Sequence, residues 1–133
     1  MEWTRFEIRT TRRAQLVDIT DQVAAIVARS GAAAGVCHVF VPHTTAGVTV
    51  NEGADPDVAR DIEDQMARLV PRDGRFRHAE GNSDSHVKTA LVGPSCAAPV
   101  RDGKLALGTW QALFLCEWDG PRTRAVEVAV APL

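Results

Sequence analysis

The sequence predicts an α+β protein: one sheet-rich domain, either a mixed sheet or a sandwich, with two to three helices. Strand-like alternation near both ends of the chain and helical segments between them favour this class. The 133 residues, 45% of them hydrophobic, suffice for one core but not two. We therefore expect residues 1–133 to form a single domain, and we exclude a (β/α)₈ barrel, which needs about 250 residues.

The first elements are two strands and a helix. Residues 2–9 alternate with period two, and a shorter extended piece follows at 15–18. We expect these two strands to pair with each other. Asp18 or Thr20 can cap the helix that comes next, and Gly31 is typical of its end.

Residues 36–51 are rich in β-branched side chains, and Pro42, which donates no ladder hydrogen bond, divides them into two strands. Asp55 followed by proline is typical of a helix start. Pro71 ends this helix. Its predicted buried face consists of Val58, Ile62, Met66 and Leu69.

Residues 72–82 are polar and lack periodicity, which predicts a loop. After it, Ser83 or Asp84 can cap a short helix that runs through residue 90, and Gly93 stops it.

The end of the chain predicts a β-hairpin. Residues 110–117 alternate, the segment 119–121 reads Asp-Gly-Pro, and valines recur at every second position over 126–130. Two alternating segments around a short turn are the usual pattern of paired antiparallel strands.

Composition excludes several classes of protein. Fifteen Lys and Arg against 17 Asp and Glu leave a net charge of −2, so binding to nucleic acid through phosphate neutralisation is not expected. No apolar run reaches the ~18 residues of a membrane span, and the first residues lack a signal-peptide core, so we expect a cytoplasmic protein. The three cysteines, without a C-x-x-C pair, indicate reduced thiols.

Four histidines are candidates for chemistry. His38 lies inside an apolar strand segment, where a buried core histidine is expected. His43, His78 and His86 occupy a strand break, a loop and the first turn of a helix, which are positions that present a side chain. Three such histidines suit a catalytic zinc, which takes three protein ligands and keeps one position open. Because no H-x-H or H-x-x-x-H pair exists, only tertiary folding can bring them together.

Acidic and amide side chains flank the same regions: Asn51, Glu52, Asp55 and Asp61. They can orient imidazoles as hydrogen-bond acceptors or act as a general base. For Asp55, helix capping is the alternative. Glu52 follows a strand, precedes the cap, and has no evident local structural role.

Charged residues also flank the C-terminal turn: Glu117, Asp119, Arg122 and Arg124. Guanidinium groups bind phosphate or carboxylate in a planar fork, whereas solvated ion pairs are the structural alternative. The chain has no G-x-x-x-x-G-K-[ST], G-x-G-x-x-G or G-x-S-x-G motif, which argues against an ordinary nucleotide site and against a serine nucleophile.

Several of these segments agree in order and spacing with one family. They are His43 to Gly47, Asn51-Glu52, Asp55-Pro56, His78 to Asn82, Ser85-His86, Leu91 to Gly93, Leu107 to Gln111, Glu117, and Asp119 to Arg124. Over nearly the whole chain the sequence resembles the YjbQ family, named as secondary thiamine-phosphate synthases.

This resemblance implies a sheet-rich homotrimer with a polar site that holds a metal ion. It implies that the metal ligands are His43, His78 and His86, that Asn51, Glu52, Asp55 and Asp61 line the site, and that Glu117 and Arg124 lie nearby. The implied reaction joins hydroxymethylpyrimidine diphosphate to thiazole phosphate, giving thiamine phosphate and diphosphate. The chain departs from the family at Phe76, where a tyrosine is usual.

Departure of diphosphate requires cations, and the sequence offers Arg122, Arg124, Lys88 and a divalent metal, with zinc expected first and magnesium or manganese as alternatives. The absence of a dedicated phosphate loop indicates that thiamine-phosphate synthesis is a secondary activity. Two other hypotheses stand beside it. One is a metal-dependent hydrolase of a small phosphorylated or acyl substrate, and the other is a non-catalytic trimer that binds metal or an anion.

Overall fold

The structure, a computed structural model, describes residues 2–133 as eight strands and three helices. The strands are β1 (Thr4–Arg9), β2 (Gln15–Asp18), β3 (Gly35–Phe40), β4 (Ala46–Glu52), β5 (Ser95–Arg101), β6 (Lys104–Leu105), β7 (Gln111–Glu117) and β8 (Thr123–Pro132). The helices are α1 (Thr20–Arg29), α2 (Pro56–Leu69) and α3 (Ser83–Val92).

The strands form two antiparallel sheets. Sheet A has the order β1-β8-β3-β5-β6, and sheet B has the order β2-β7-β4. Val39 and Val126 of sheet A share one core with Leu113 and Leu115 of sheet B, and α1 closes it with Val27. The α+β class is thus confirmed, and of the two predicted architectures the sandwich is right, since every strand pair of residues 2–133 is antiparallel.

Both predicted strand pairings are wrong. β1 pairs with β8 and β2 pairs with β7, so the opening strands lie in different sheets. β7 and β8 likewise belong to different sheets, and residues 118–122 carry the chain from one sheet to the other. The reason lies in β7, which is the central strand of sheet B. It packs Leu115 into the main core and Phe114 into a second cluster that includes Ile62 of α2, and alternation alone does not reveal the partner of such a strand.

The hairpin of β5 and β6 was not predicted. Its turn is formed by Asp102 and Gly103, with φ of 52° and 74°. Two successive positive φ angles are the hallmark of a type I′ turn, and Asp-Gly is one of its preferred sequences. The signal was therefore present in the sequence.

The predicted helices exist, but their starts differ in detail. Asp55 caps α2 as predicted, accepting from the Asp57 amide at 2.9 Å. The N-cap of α1 is Ile19, not the predicted Asp18 or Thr20; Asp18 Oδ1 accepts from the Thr20 amide at 2.9 Å just before the helix. Ser83 and Asp84, predicted as caps of α3, lie inside that helix, whose N-cap is Asn82.

The predicted buried face of α2 is only partly correct. Leu69 is 62% exposed, and its three predicted companions are half-buried. The buried residue is Glu63, whose Oε2 accepts from the Leu16 amide of β2 at 2.7 Å. Arg12 donates to the same carboxylate at 3.1 and 3.3 Å. Glu63 therefore ties α2 to the edge of sheet B through polar contacts.

On the other edge of sheet B, β4 lies against the end of α3. The Val48 amide donates to the Gly93 carbonyl at 3.2 Å. A Cβ on Gly47 would stand 2.4 Å from that same oxygen. Only glycine fits at position 47, because a real Cβ never approaches an oxygen so closely.

His38, predicted to be buried, is exposed on sheet A between the inward-facing Cys37 and Val39. Burial raises the pKa of the Cys37 thiol to about 11 and that of Cys116 to about 12, as expected of thiols that serve as small apolar residues. Among residues 2–133 none of the helices combines the length and apolarity that crossing a bilayer requires.

Candidate functional site

A buried ion pair spans the corner where the chain passes from β7 to β8. The Arg124 Nε donates to both carboxylate oxygens of Glu117, at 2.9 and 3.0 Å, and a terminal guanidinium nitrogen contacts the same group. Thr10 donates to Glu117 at 2.8 Å, and Arg124 donates to the carbonyl and hydroxyl of Thr45 at 3.1 and 2.8 Å. Glu117 is 0% and Arg124 2% exposed. Both were predicted to bind substrate, but here they bind each other and join the two sheets.

His43 lies beside this pair. It follows β3, is half-buried, and its Nε2 accepts from the Ala125 amide of β8 at 2.9 Å. Burial lowers the pKa of His43, and the charge of Arg124 lowers it further, while Glu117 opposes the change. The imidazole at this corner is therefore neutral near pH 7.

A second buried charge cluster holds the start of α3. Arg13 donates to both oxygens of Asp84 at 3.0 Å, and Lys88 Nζ donates to Asp84 at 2.7 Å. Burial tends to raise the pKa of Asp84, but the bonds from Arg13 and Lys88 outweigh it and lower the pKa to about 2. Lys88 was predicted to bind phosphate. It is 3% exposed and engaged by Asp84.

Asp119 connects the corner to α3. It accepts from Asn82 at 2.9 Å and from the Arg122 guanidinium at 3.1 Å. The Arg122 side chain is 50% exposed. Of the three cationic side chains predicted to bind phosphate, it is the one with a solvent-accessible head.

His86 of α3 and His78 of the preceding loop are neighbours. Their ring centroids are 5.2 Å apart, with an angle of 65° between the planes. Glu80 lies 3.9 Å from His78 Nε2. Two imidazoles bound to one tetrahedral zinc through bonds of about 2 Å have centroids roughly 5 Å apart, so this pair fits two positions of a metal site.

The predicted three-histidine shell is not assembled within one chain. Residues 2–133 contain no group of three or more His, Cys, Asp or Glu side chains that can hold a metal ion. The reason at His43 is chemical: a neutral imidazole has one nitrogen lone pair, and the Ala125 amide occupies it. The donor set of one chain fits two ligands, His78 and His86, and not a complete shell.

The predicted acids lie elsewhere and have local roles. Asn51 Oδ1 accepts from the Glu52 amide, and Glu52 Oε2 accepts from the Ala54 amide at 2.7 Å. Asp55 caps α2, as described. Asp61 is exposed on the same helix. Glu52 therefore has a local role that its sequence context did not reveal.

The register of β4 separates Asn51 and Glu52 from His43. Ala46, near His43, is opposite Glu117, whereas Glu52 is opposite Gln111 at the other end of β7. Six residues of antiparallel strand span about 20 Å. Within one chain His43 thus lies at the β7–β8 corner, and Glu52 lies at the β4–α2 junction at the other end of β4.

The sequence did not predict that Thr10 and Arg13 contact the two buried carboxylates, Glu117 and Asp84. Thr10 and Arg13 both lie between β1 and β2, in a segment without a recognisable motif. The sequence did contain a signal for the Asp84–Lys88 pair, because these residues are four positions apart, the spacing of neighbours on one helix face.

Comparison with known proteins gives consistent results. The model of the family described as UPF0047 protein YjbQ-like matches residues 4–132. A UPF0047 protein of Methanocaldococcus jannaschii is 45% identical over 126 residues, covering 95% of this chain and 91% of its own length. YugU of Bacillus subtilis is 44% identical over 119 residues, 89% of this chain and 90% of its own.

Solved structures agree with the fold. The crystal structure of a YjbQ/UPF0047-family protein from Clostridium acetobutylicum superposes with a TM-score of 0.94 at 44% identity, covering 96% of this chain and 99% of that one. A YbjQ-like protein from Sulfolobus solfataricus gives a TM-score of 0.95 at 36% identity, with coverages of 99% and 97%.

Proposed function

The chain belongs to the YjbQ-like UPF0047 family, and from this premise we propose that it is a small enzyme acting on phosphorylated small molecules at the β7–β8 corner. The proposed reaction is that of a secondary thiamine-phosphate synthase. It joins hydroxymethylpyrimidine diphosphate to thiazole phosphate and releases diphosphate.

The observation that carries the proposal is the rigid corner itself. The buried pair of Glu117 and Arg124 holds the two strand ends on either side of residues 118–122. The buried pair of Arg13 and Asp84 holds the start of α3. Around this frame stand groups suited to a phosphorylated ligand, namely a neutral histidine, a solvent-accessible arginine and a pair of neighbouring imidazoles. A frame of this kind holds ligand-binding groups in place without reorganisation.

In this proposal His78 and His86 provide two ligands to a divalent metal, zinc in the first place and magnesium or manganese with a diphosphate substrate. The bound metal would supply positive charge for the leaving diphosphate. Arg122 binds phosphate oxygens. Glu52 or Asp61 moves a proton at the reacting centre, and Asn51 and Asp55 line that half of the site.

We further propose that the site is completed between subunits of a homotrimer. Within one chain Glu52 lies about 20 Å along β4 from the end that follows His43, and in this proposal a neighbouring subunit brings its Glu52 to the histidines. Large apolar side chains are exposed on the helices that carry Asp61 and His86: Leu69 is 62% and Leu91 59% exposed. In this proposal these side chains form part of the subunit contact.

Subunit complementation tests this arrangement. Glu52→Gln and His86→Ala each inactivate the enzyme, and the two variants are unfolded and refolded together. A site between subunits regains roughly a quarter of wild-type turnover, because random mixing pairs intact halves in one site out of four. Each variant refolded alone is the control. A mixed sample that stays inactive contradicts the shared site, and light scattering must give three times the chain mass of 14.3 kDa.

A second candidate, a hydrolase of a small phosphorylated substrate, is favoured by the engagement of Lys88 and Arg124. Both cations are buried in ion pairs, which leaves little positive charge for two phosphorylated substrates at once. Product analysis by mass spectrometry distinguishes the candidates. Thiamine phosphate formed from both precursors supports the synthase, and free phosphate from a single substrate supports the hydrolase. No turnover of either kind favours a non-catalytic binding trimer.

A further inference from the structure

β8 extends past the end of β3 in sheet A. The last residue pair between these strands is Phe40 with Glu127, and two residues further along β8 the Ala125 amide faces the place where β3 has left the sheet. Ala125 is 3% exposed, so its N–H needs a partner. The His43 imidazole provides it, with Nε2 at 2.9 Å in the position that a strand carbonyl would otherwise take.

This contact fixes the proton on the imidazole. A backbone amide only donates, so His43 Nε2 is unprotonated, and in a neutral imidazole the proton is then on Nδ1. Within residues 2–133 Nδ1 has no hydrogen-bond partner, and it is not among the buried unpaired side-chain atoms of this part of the chain. The Nδ1–H group therefore reaches solvent as an available donor.

Three arginines carry positive charge close enough to act on the ring, and each of them has a carboxylate neighbour. Arg124 and Glu117 offset each other in their buried pair. Arg5 of β1 and Arg122 of the corner also act on the pKa of His43, and both lower it. Their side chains are 57% and 50% exposed, and each has an acidic neighbour, Glu127 at 3.8 Å and Asp119 at 3.1 Å.

We propose that the Nδ1–H of His43, which the Ala125 contact leaves free to donate, binds an anionic oxygen of a phosphate or diphosphate group, so that His43 is a binding residue and not a metal ligand. The inference rests on the proposed function in taking the substrate to be phosphorylated. Metal binding at Nδ1 would require an imidazolate or the loss of the Ala125 contact.

Two substitutions separate the functions of the two ring nitrogens. His43→Asn keeps an N–H close to the Nδ1 position and loses the acceptor for Ala125, whereas His43→Gln keeps an acceptor at the Nε2 position and loses the Nδ1 donor. The probe is pyrophosphate, titrated calorimetrically into full-length protein at pH 7.5. We expect His43→Gln to weaken binding at least about 10-fold, as for the loss of a hydrogen bond to a charged group. His43→Asn retains more affinity than His43→Gln, and zinc content is unchanged in both.

His38→Gln is the matched control, since His38 is an exposed histidine two residues before the end of β3, and it leaves the affinity unchanged. Nitrogen-15 NMR of the wild-type protein measures the tautomer of His43 without any variant. We expect Nδ1 to be protonated and Nε2 to be unprotonated. An Nε2–H tautomer, wild-type protein that does not bind pyrophosphate, or equal affinity in His43→Gln overturns the inference. Loss of zinc in His43→Gln would make His43 a metal ligand.

The proposed function can fail separately. Protein that binds pyrophosphate through His43 but turns over neither substrate contradicts the enzyme and leaves this inference intact. Turnover by the wild-type protein, together with unchanged pyrophosphate affinity in His43→Gln, supports the enzyme and contradicts the binding role of His43.

Discussion

The β7–β8 corner and the β4–α2 junction both carry carboxylates, but these are used in opposite ways. At the corner, Glu117 is fully buried and pairs with Arg124 across the two sheets. At the junction, Glu52 and Asp55 each accept from the backbone amide two positions further on and keep their remaining oxygens at the surface. The Glu117 carboxylate is thus consumed by the framework that joins the two sheets, whereas the carboxylates of Glu52 and Asp55 keep an oxygen available at the surface.

The largest expected effect is at the frame. Glu117→Gln leaves the buried Arg124 without a counter-charge, and we expect a loss of about 3–5 kcal/mol in the free energy of unfolding. Urea denaturation at constant protein concentration measures it. Glu127→Gln is the matched control, because Glu127 faces the exposed Arg5 at 3.8 Å and such pairs contribute at most about 1 kcal/mol. Equal losses in the two variants would contradict the distinction between frame and surface.

The second buried carboxylate makes stability depend on pH. The pKa of Asp84 falls from 3.8 to about 2 on folding, so the folded protein binds this proton less readily than the unfolded chain. The stabilisation is complete above about pH 4 and is lost as pH falls toward 2, an effect of about 2 kcal/mol for one such group. Asp84→Asn removes this component of the acid dependence. Urea midpoints between pH 2 and 6 that keep the same slope in the variant would assign the acid dependence to other groups.

A smaller effect is expected at the α2 cap. Asp55→Ala removes the acceptor of the Asp57 amide and costs about 1 kcal/mol, whereas Asp55→Asn keeps a good cap and costs little. Thermal unfolding of both variants measures the difference. If Asp55 also serves the reaction, Asp55→Asn lowers turnover while stability is preserved, which would show that the surface carboxylate has two roles.

The smallest effect on stability is expected for Glu52→Gln. Glutamine keeps an oxygen for the Ala54 amide, so the free energy of unfolding changes by less than about 0.5 kcal/mol. Turnover nevertheless falls by ~10²-fold if Glu52 moves a proton. Metal analysis accompanies the kinetics, since a loss of metal would make Glu52 part of the metal site. Unchanged turnover and unchanged metal would limit Glu52 to its local turn.

The sequence predicted the kinds of elements better than their partners. The three helices, the two strands around Pro42 and the Asp55 cap follow from local patterns that the structure contains. The pairing of β7 was beyond such reasoning because both of its faces are buried, so alternation identifies a strand but not its sheet. The turn at Asp102-Gly103 is different, because Asp-Gly is a preferred type I′ sequence and predicts the β5–β6 hairpin locally.

For the candidate site, local context identified which side chains are presented but not which ones meet. His78 and His86 are neighbours, with seven residues of loop and helix between them in the chain, but no contact joins either of them to His43 within residues 2–133. The sequence predicts His43 as a metal ligand because it does not show where β3 ends or that the Ala125 amide, left without a strand partner, donates to the imidazole. For Arg124 and Lys88 the sequence predicts phosphate binding, because sequence alone does not show that each pairs with a buried carboxylate.

Sheet B has its two outer edges covered by polar groups from helices. On the β4 side the Gly93 carbonyl accepts a hydrogen bond from the Val48 amide, and on the β2 side the Glu63 carboxylate accepts one from the Leu16 amide. One outward amide on each edge is therefore already bonded, which hinders a strand from another molecule that would extend this sheet. Loss of the Glu63 carboxylate would open one edge, and aggregation during storage, more than any loss of activity, would be its first visible consequence.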